Sequence, residues 1–380
     1  MQTRPSPDQS LPIAVRPGTG WRTFAMVAVV VGVACWTAWG GAGSLPLDTH
    51  EVFVARSTEE MIDSGRWLVP LLGGQPRLEK PPMQNWLAAA ADRLGNRNGR
   101  ISALEARLPS LAAGVMLVVL TLGLGCVVLD RPTAFVAALL VATSSGYVEF
   151  THSARPEMLY AMWCTVGLLG LMLSARWVGE PNRKSWSRWA AWGGWAAFGF
   201  ALLTKGPQLP LIMLGAFVVG MFATGSRGQV LRVLRPWSGL LILLAVALGW
   251  YVTVYLTVPQ AAAAWRHELA LRVSSGSKPW WKWLDPYYLY HTIDLVLPWV
   301  VLYPLMLALP WLEKSRRLGG QPAIKFLWCV VIVVMGCLSL AWGRRSYYLL
   351  PILGPMALLM AAVALRIGRL LLQTGRAGLW

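Results

Sequence analysis

Three charged residues stand where long apolar segments of the sequence begin or end, a fourth lies in the connection between two such segments, and their types suit chemistry on an anionic substrate. Asp48 follows the first apolar segment, Glu157 begins a later one and Lys205 ends another. Lys80 lies in the run Glu79-Lys80-Pro81-Pro82. A carboxylate can act as a general base, and lysines can bind a phosphate as point charges. Because hydrocarbon does not tolerate stray charge, polar residues gathered at one membrane face indicate a reaction site.

The two carboxylates each have a structural alternative. Partial burial of Asp48 would raise its proton affinity and make it a usable base near neutral pH. Asp48 could equally be the N-cap of the helix that follows, which is the commoner role for an Asp at such a position. Glu157 follows Arg155-Pro156, and a Glu is also favoured at a helix start for electrostatic reasons alone.

The cations have alternatives as well. The prolines beside Lys80 would hold its ammonium stationary, although a solvated surface lysine is the usual case. Lys205 could bind a phosphate or extend to the lipid headgroups. Arg272 could bind a phosphate as a bidentate fork, or it could pair with Glu268, four residues earlier on the same predicted helix.

Long apolar segments must position these residues. Of the 380 residues, 56% are hydrophobic and only 13% are charged, which indicates an all-α, polytopic helical membrane protein. Windows of about 20 apolar residues recur along the chain. We predict about ten transmembrane helices, at 23–44, 106–128, 133–150, 157–177, 189–204, 208–224, 238–257, 292–312, 324–342 and 347–365.

The distribution of charge predicts the topology. With both termini inside, the inner tails, loops and span ends carry +14 and the outer segments +3, which together give the formal net charge of +17. This is the positive-inside pattern, so the basic composition requires no nucleic acid. The predicted exterior loops are 45–105 and 258–291, and the predicted cytoplasmic tails are 1–22 and 366–380. No cleavable signal is expected, because the first apolar segment is long enough to remain as a span.

The exterior loops have structure of their own. Apolar residues at helical spacing in 51–62 and 83–94 predict short interfacial helices, with a Pro- and Gly-rich turn at 70–82 between them. In the second loop we predict a helix over 265–273, a Ser/Gly break and an aromatic segment ending at Tyr290. The five cysteines all fall in apolar spans, which favours packing roles over disulfides or metal binding.

An ordered series of short motifs resembles a known family. The series includes Asp48 after the first span, Ser64 to Pro70, Glu79-Lys80-Pro81-Pro82 and Ala106 to Ser110. It continues through Ala154 to Met158, Leu203 to Pro207, Gly249-Trp250-Tyr251, Glu268 to Arg272 and Arg345 to Pro351. Over about residues 45–356 the chain resembles the GT-C glycosyltransferases of the aminoarabinose transferase and protein O-mannosyltransferase type. The family commonly has Asp-Glu where this chain has Asp48-Thr49, and its members usually run well past 380 residues.

The resemblance implies a fold and a set of roles. It implies a GT-C transmembrane glycosyltransferase domain over 23–365, which transfers a sugar from a polyprenyl phosphate donor to a lipid, glycan or protein acceptor. The transfer is expected to invert the anomeric centre, at the outer face of a bacterial inner membrane. By resemblance, Asp48 and Glu157 are the catalytic acids, Lys80 and Arg272 contact the donor phosphate, and Tyr347 or Tyr348 lines the substrate site. We also predict that Lys205 contacts the donor phosphate and that Glu268 lines the substrate site.

No cofactor is required by this chemistry. A divalent metal held by Glu79 with His267 or His291 is possible, but such ligands would be scattered over separate loops. The competing function is a transporter or flippase of a lipid-linked anionic solute. Transporters place ionisable residues near the bilayer midplane, whereas the predicted spans here are nearly free of internal charge, which favours the enzyme. A third alternative is a non-catalytic scaffold.

Overall fold

The computed structural model describes residues 20–95, 98–274, 285–312, 322–340 and 343–377. Nearly all of the ordered backbone in these residues is helical, and the strands are two short segments, β1 (Leu71–Leu72) and β2 (Gln75–Pro76), paired antiparallel. The all-α prediction is therefore confirmed. The helices are α1 (Gly20–Trp39), α2 (Thr49–Ser64), α3 (Met83–Leu94), α4 (Ala103–Val128), α5 (Arg131–Ala142), α6 (Ser145–Thr151), α7 (Glu157–Trp177), α8 (Lys184–Thr204), α9 (Gln208–Ala223), α10 (Val230–Leu234), α11 (Pro236–Thr257), α12 (Ala261–Ser274), α13 (Tyr287–Val296), α14 (Leu302–Leu312), α15 (Pro322–Ser339) and α16 (Leu353–Ala377).

Six apolar helical segments within the described residues are long enough to cross a membrane: α1, α4, α7, α11, α15 and the segment Ser346–Gln373. The pair α5 and α6, bent by 55° at a short break, would add a seventh. The protein is thus an integral membrane protein, but the predicted number of ten spans is not confirmed. The predicted span 292–312 is interrupted, because α13 ends at Val296 and α14 begins at Leu302.

Helices α7 and α8 form an antiparallel pair that packs at unusually short range. Gly170 and Gly194 make this approach possible. A Cβ atom added to Gly170 would lie 2.7 Å from the carbonyl oxygen of Ala190, so any side chain there would push the helices apart. Glu157 begins α7 and Lys205 directly follows α8, so the tight packing brings these two residues to the same end of the bundle.

The segment between α1 and α4 is folded against that end of the bundle. The side-chain amide of Asn85 in α3 donates hydrogen bonds to the hydroxyls of Ser57 and Thr58 in α2. Gly73 and Gly74 form the turn between β1 and β2. The Glu60 carboxylate accepts hydrogen bonds from their backbone N–H groups. The helices predicted over 51–62 and 83–94 are therefore present as α2 and α3.

The second predicted loop also contains helices. The helix expected over 265–273 is present as α12, and α13 begins at Tyr287 within the predicted aromatic segment. The Ser/Gly break between them falls on residues outside those described. The cysteines are free thiols, as expected from their positions in apolar helices.

Candidate functional site

The candidate site is built at the N-terminus of α2. The Asp48 carboxylate accepts the backbone N–H of Glu51 at 2.8 Å, and the Glu51 carboxylate accepts the backbone N–H of Asp48 at 2.9 Å. This reciprocal pair is a capping box, which satisfies free N–H groups at the helix start. The structural alternative for Asp48, an N-cap, is therefore confirmed. It leaves the second oxygen of the Asp48 carboxylate available for other contacts.

Beneath this cap lies a buried ion pair that sequence reasoning missed. Arg107 in α4 donates from Nε and Nη2 to the two oxygens of Glu51, at 2.8 and 2.7 Å, and both side chains are 3% exposed. The remaining Arg107 donors go to the carbonyl oxygens of Ala42, Leu45 and Pro46. Glu51 also accepts the backbone N–H of Ala154 at 2.7 Å. This Glu51–Arg107 pair therefore fixes the end of α1, α2, α4 and the chain before α7 to one another.

A sequence signal for Glu51 existed. The spacing Asp-x-x-Glu before an apolar helical segment is the capping-box pattern. The contact to Arg107, 56 residues later, has no comparable local signature.

Asp48 forms an ion pair with Arg155, which belongs to the motif Ala154 to Met158. Arg155 donates from Nη2 to Oδ2 of Asp48 at 2.9 Å, with the Asp48 side chain 47% exposed. Partial burial acts to raise the pKa of Asp48. The Glu51 N–H bond and the Arg155 charge together outweigh burial, so this pKa lies below its ordinary value. The expectation of a raised proton affinity was wrong, and Asp48 is ionised at neutral pH.

A second charged cluster is centred on Glu157, two residues after Arg155. Lys205 donates from Nζ to Oε1 of Glu157 at 2.9 Å, with the Glu157 side chain 4% and the Lys205 side chain 15% exposed. The same ammonium lies 4.6 Å from the ring centroid of Tyr347 and 4.7 Å from that of Tyr348. Such contacts are cation–π interactions. Lys205 therefore points into the site and does not extend to the headgroups.

Glu157 retains a free acceptor. Its Oε2 atom is buried and has no hydrogen-bond partner among the described residues. The charge of Lys80 also attracts the Glu157 carboxylate, so two lysines stabilise its ionised form. The unoccupied oxygen of this buried carboxylate can accept a hydrogen bond from a hydroxyl or ammonium group of a substrate. Its two cationic neighbours keep the carboxylate ionised.

Lys80 lines a small cavity between α2, α3 and the start of α7. Arg77, Gln84, Asn85 and Pro156 also line it. Arg77 is mostly buried, lies over the ring of Phe53 with its guanidinium carbon 5.5 Å from the ring centroid, and makes a long contact to Glu79, at 3.9 Å. Lys80 and Arg77 thus place two positive charges in one cavity, and the charge of Lys80 reaches Glu157.

The side chains of Glu268 and Arg272 lie outside those described, so their predicted roles stay predictions. Their helix, α12, is anchored beside Lys80, because the indole N–H of Trp265 donates to the carbonyl oxygen of Leu78 at 3.3 Å. Trp265 also packs edge-on against Tyr251, with ring centroids 5.6 Å apart.

Glu79 and His267 line another cavity, of about 510 Å³. His291 does not join them there and instead contacts Asp294 at 3.0 Å. Within the described part of the chain, no group of three or more His, Cys, Asp or Glu residues has a metal-binding arrangement.

Comparisons with known proteins identify related sequences and structures. A family model described as dolichyl-phosphate-mannose-protein mannosyltransferase matches residues 79–252, a range that contains Lys80, Glu157 and Lys205. An undecaprenyl phosphate-alpha-4-amino-4-deoxy-L-arabinose arabinosyl transferase from Pseudomonas savastanoi pv. phaseolicola is 27% identical over 343 residues, covering 83% of this chain and 58% of the relative. The corresponding transferase 2 of Proteus mirabilis is also 27% identical, over 82% of this chain and 54% of the relative.

Solved structures show the same fold. The crystal structure of ArnT from Cupriavidus metallidurans bound to undecaprenyl phosphate matches with a TM-score of 0.74 and 21% identity, over 91% of this chain and 60% of that one. The archaeal oligosaccharyltransferase AglB from Archaeoglobus fulgidus, in complex with an inhibitory peptide and a dolichol-phosphate, gives a TM-score of 0.59 and 14% identity, over 94% and 52%. The chain therefore spans little more than half the length of these proteins. Its predicted resemblance to GT-C glycosyltransferases of the aminoarabinose transferase type is confirmed.

Proposed function

We propose that this protein is a glycosyltransferase that moves a sugar from a polyprenyl phosphate donor to an acceptor at the membrane surface. The observation that carries the proposal is the clustering of Asp48, Glu157, Lys80 and Lys205 at one end of a bundle with the ArnT fold. Curated relatives that carry the arabinosyl transferase name support the same reaction class. A polyprenyl tail also accounts for an enzyme embedded in the membrane, since the tail remains in lipid while the head enters the site.

The donor phosphate has a cationic place to bind. Lys80 and Arg77 line one cavity with Pro156, the residue before Glu157. Arg272 belongs to α12, the helix whose Trp265 donates a hydrogen bond to Leu78. Lys205 is held by Glu157 and by the rings of Tyr347 and Tyr348. A phosphate that enters this cluster would replace its hydrogen bonds to water with charge-assisted hydrogen bonds from the lysine and arginine side chains. As the glycosidic bond breaks, charge grows on the departing phosphate, and fixed cations stabilise that charge in the transition state.

The transfer itself is an inverting displacement. The acceptor oxygen forms a bond to the anomeric carbon, while the bond from that carbon to the phosphate oxygen breaks and its electron pair leaves with the polyprenyl phosphate. Because Asp48 is ionised and half exposed, the Oδ2 atom that it shares with Arg155 orients the acceptor hydroxyl through a second lone pair and accepts the proton once bond formation has made that hydroxyl acidic. The proton then passes to solvent. Glu157 positions a polar group of the sugar through its unoccupied oxygen.

The proposed setting is a bacterial inner membrane with both termini cytoplasmic and the site on the exterior face. In this arrangement α2 and α3 lie in the interface, and helices such as α8 and α9 complete about ten spans. The acceptor is a lipid, glycan or protein, and the reaction needs no metal. The alternative, a flippase of a lipid-linked anionic solute, would use the same cations to bind its cargo without breaking a glycosidic bond.

One experiment separates these functions. The purified protein in lipid nanodiscs is incubated with radiolabelled undecaprenyl phosphate sugars and a panel of lipid A, glycan and protein acceptors. A glycosyltransferase moves label to an acceptor and releases undecaprenyl phosphate. Movement of labelled donor between the leaflets of vesicles, with no released undecaprenyl phosphate under any acceptor, would favour the flippase.

The role of Lys80 gives a quantitative prediction. Lys80→Ala should weaken donor binding by about 1.5–3 kcal/mol, because a charge-assisted contact to the phosphate is lost. Arg272→Ala should have a similar effect. Binding of undecaprenyl phosphate, measured by tryptophan fluorescence, provides the affinity. Lys325→Ala, an exposed lysine near the start of α15, is the matched control and should leave donor affinity unchanged. Wild-type affinity in both site variants would contradict the proposed phosphate site.

The proposed topology is also testable. Ser64→Cys lies at the end of α2 and should react with an impermeant maleimide in intact cells. Arg227→Cys lies in the turn after α9 and should react only after the cells are permeabilised. The parent protein carrying the five native cysteines is the background control. The reverse labelling pattern would place the site in the cytoplasm.

A further inference from the structure

A second charged cavity, of about 380 Å³, lies at the other end of the bundle. Helix α8 runs from Lys184, in the lining of this cavity, to Thr204, next to the candidate site. At about 1.5 Å per residue, the two ends of α8 are about 30 Å apart. The candidate span α7 covers the same distance, from Glu157 in the candidate site to Trp177, directly before Val178 of the cavity lining. About 30 Å is the thickness of the hydrocarbon core of a bilayer, so the cavity lies at the opposite membrane face. Its lining is Val178, Lys184, Ser185, Arg188, Arg232 and Arg235.

The four cations of this cavity have no acidic partner in the part of the chain that the structure describes. The nearby acid Glu180 is already paired with Arg183, at 3.2 Å. The Nε atom of Arg235 is buried and has no hydrogen-bond partner among the described residues. Four positive charges therefore surround one cavity. Their mutual repulsion destabilises the fold unless an anion binds between them.

The backbone adds to the positive potential. Helices α8 and α11 both begin at this cavity, and neither has a side-chain cap. Their N-terminal N–H groups carry partial positive charge. Arg235, between α10 and α11, has a φ of 48°, a backbone conformation that residues other than Gly rarely adopt. This strained backbone conformation persists in the fold, and the Arg235 side chain lines the cavity.

The surroundings indicate a lipid. Large apolar side chains near the cavity are exposed, including Trp186, Trp189 and Trp237, which are 65%, 61% and 83% exposed. Leu231 and Leu241 are exposed as well. Tryptophans favour the headgroup level of a bilayer, and the leucines offer a surface to acyl chains. A soluble anion would gain nothing from these side chains, whereas a phospholipid would use both the cations and the apolar rim.

We propose that this cavity is a binding site for the phosphate headgroup of an anionic phospholipid. The headgroup phosphate lies among Lys184, Arg188, Arg232 and Arg235, and the acyl chains lie along α11 and α10. The site is separate from the donor site and does not depend on the proposed transferase activity. Basic pockets between transmembrane helices are a known class of anionic lipid sites, and this one is specified by its geometry and not by net charge alone.

The test is lipid binding by native mass spectrometry of the intact protein, released from detergent with phosphatidylglycerol or phosphatidylethanolamine. The cavity variant combines Lys184→Gln, Arg188→Gln and Arg232→Gln. The control variant combines Arg131→Gln, Arg227→Gln and Lys325→Gln, which remove the same charge at the same membrane face but outside the cavity. We expect the cavity variant to bind phosphatidylglycerol about 10-fold or more weakly, and the control to bind it within about 2-fold of wild type.

Two further measurements keep the result decisive. A variant that exchanges Lys and Arg at these three positions preserves charge and should retain phosphatidylglycerol binding. Millimolar inorganic phosphate should not displace the lipid, because it lacks acyl chains. Equal loss in the cavity and control variants would show a diffuse charge effect and overturn the proposal. Displacement by inorganic phosphate, or equal affinity for phosphatidylethanolamine, would overturn the assignment to an anionic lipid.

Discussion

Replacing Asp48 by Asn should lower single-turnover sugar transfer to a hydroxyl acceptor by about 100-fold while the fold is retained. The fold survives because the Asn side-chain oxygen still accepts the Glu51 N–H, and Asn is about as good an N-cap as Asp. The lost pair with Arg155 is partly exposed and is worth at most about 1 kcal/mol. The chemical step loses the charge that orients the hydroxyl and accepts its proton. The measurement is quench-flow of labelled donor with saturating acceptor.

The chain contains a matched control for this substitution. Asp130 caps α5 by accepting the backbone N–H of Thr133 at 2.9 Å, in the same manner as Asp48 caps α2. It lies at the other membrane face, between α4 and α5. Asp130→Asn should therefore reproduce the effect that replacing an Asp N-cap by Asn has on stability, while sugar transfer stays unchanged. Near-normal transfer by Asp48→Asn, at an unchanged melting temperature, would eliminate Asp48 as the base.

The acceptor changes the size of this effect. A phosphate acceptor is already ionised at neutral pH, so little proton abstraction remains and Asp48 would act mainly by orientation. The ratio of the Asp48→Asn defects with hydroxyl and phosphate acceptors therefore reports how much of its role is proton transfer.

Local chemistry explains which parts of the site could be predicted from the sequence. Asp48 and Glu157 stand at helix starts, where short-range rules place acidic residues, and the structure has helices starting at Thr49 and Glu157. The apolar spacing in the first loop likewise predicted α2 and α3. In each case the signal lies within one or two turns of chain, so hydropathy and capping preferences are sufficient.

Long-range pairing is what the sequence did not contain. Lys205 could have extended to the headgroups, and only the close packing of α7 on α8 turns it toward Glu157, 48 residues earlier. The lowered pKa of Asp48 depends on Arg155, whose approach requires the turn before α7. The break at 297–298 also escaped prediction, because the residues on both sides are equally apolar.

The largest effect on stability should come from Glu51→Gln. This change removes the charge opposite Arg107 and leaves a guanidinium buried without a counterion, which typically costs about 3–5 kcal/mol. We expect a lower melting temperature and a lower yield of folded protein in detergent. Glu105→Gln is the matched control, because Glu105 occupies the same position in the capping box of α4 but has no ion pair within the described chain. The control should lose about 1 kcal/mol or less.

The pH dependence of this pair gives an independent test. Burial acts to raise the pKa of Glu51, but hydrogen bonds from Arg107 and from the Asp48 and Ala154 N–H groups outweigh it, so the folded pKa is below 4.5. A lowered folded pKa contributes stability that is complete above the unfolded value and is lost as pH falls through the folded one. The melting-temperature difference between wild type and Glu51→Gln should therefore be constant near neutral pH and shrink below pH 4.5. A difference that persists unchanged into strong acid would show that lost packing, and not the lost charge, destabilises the variant.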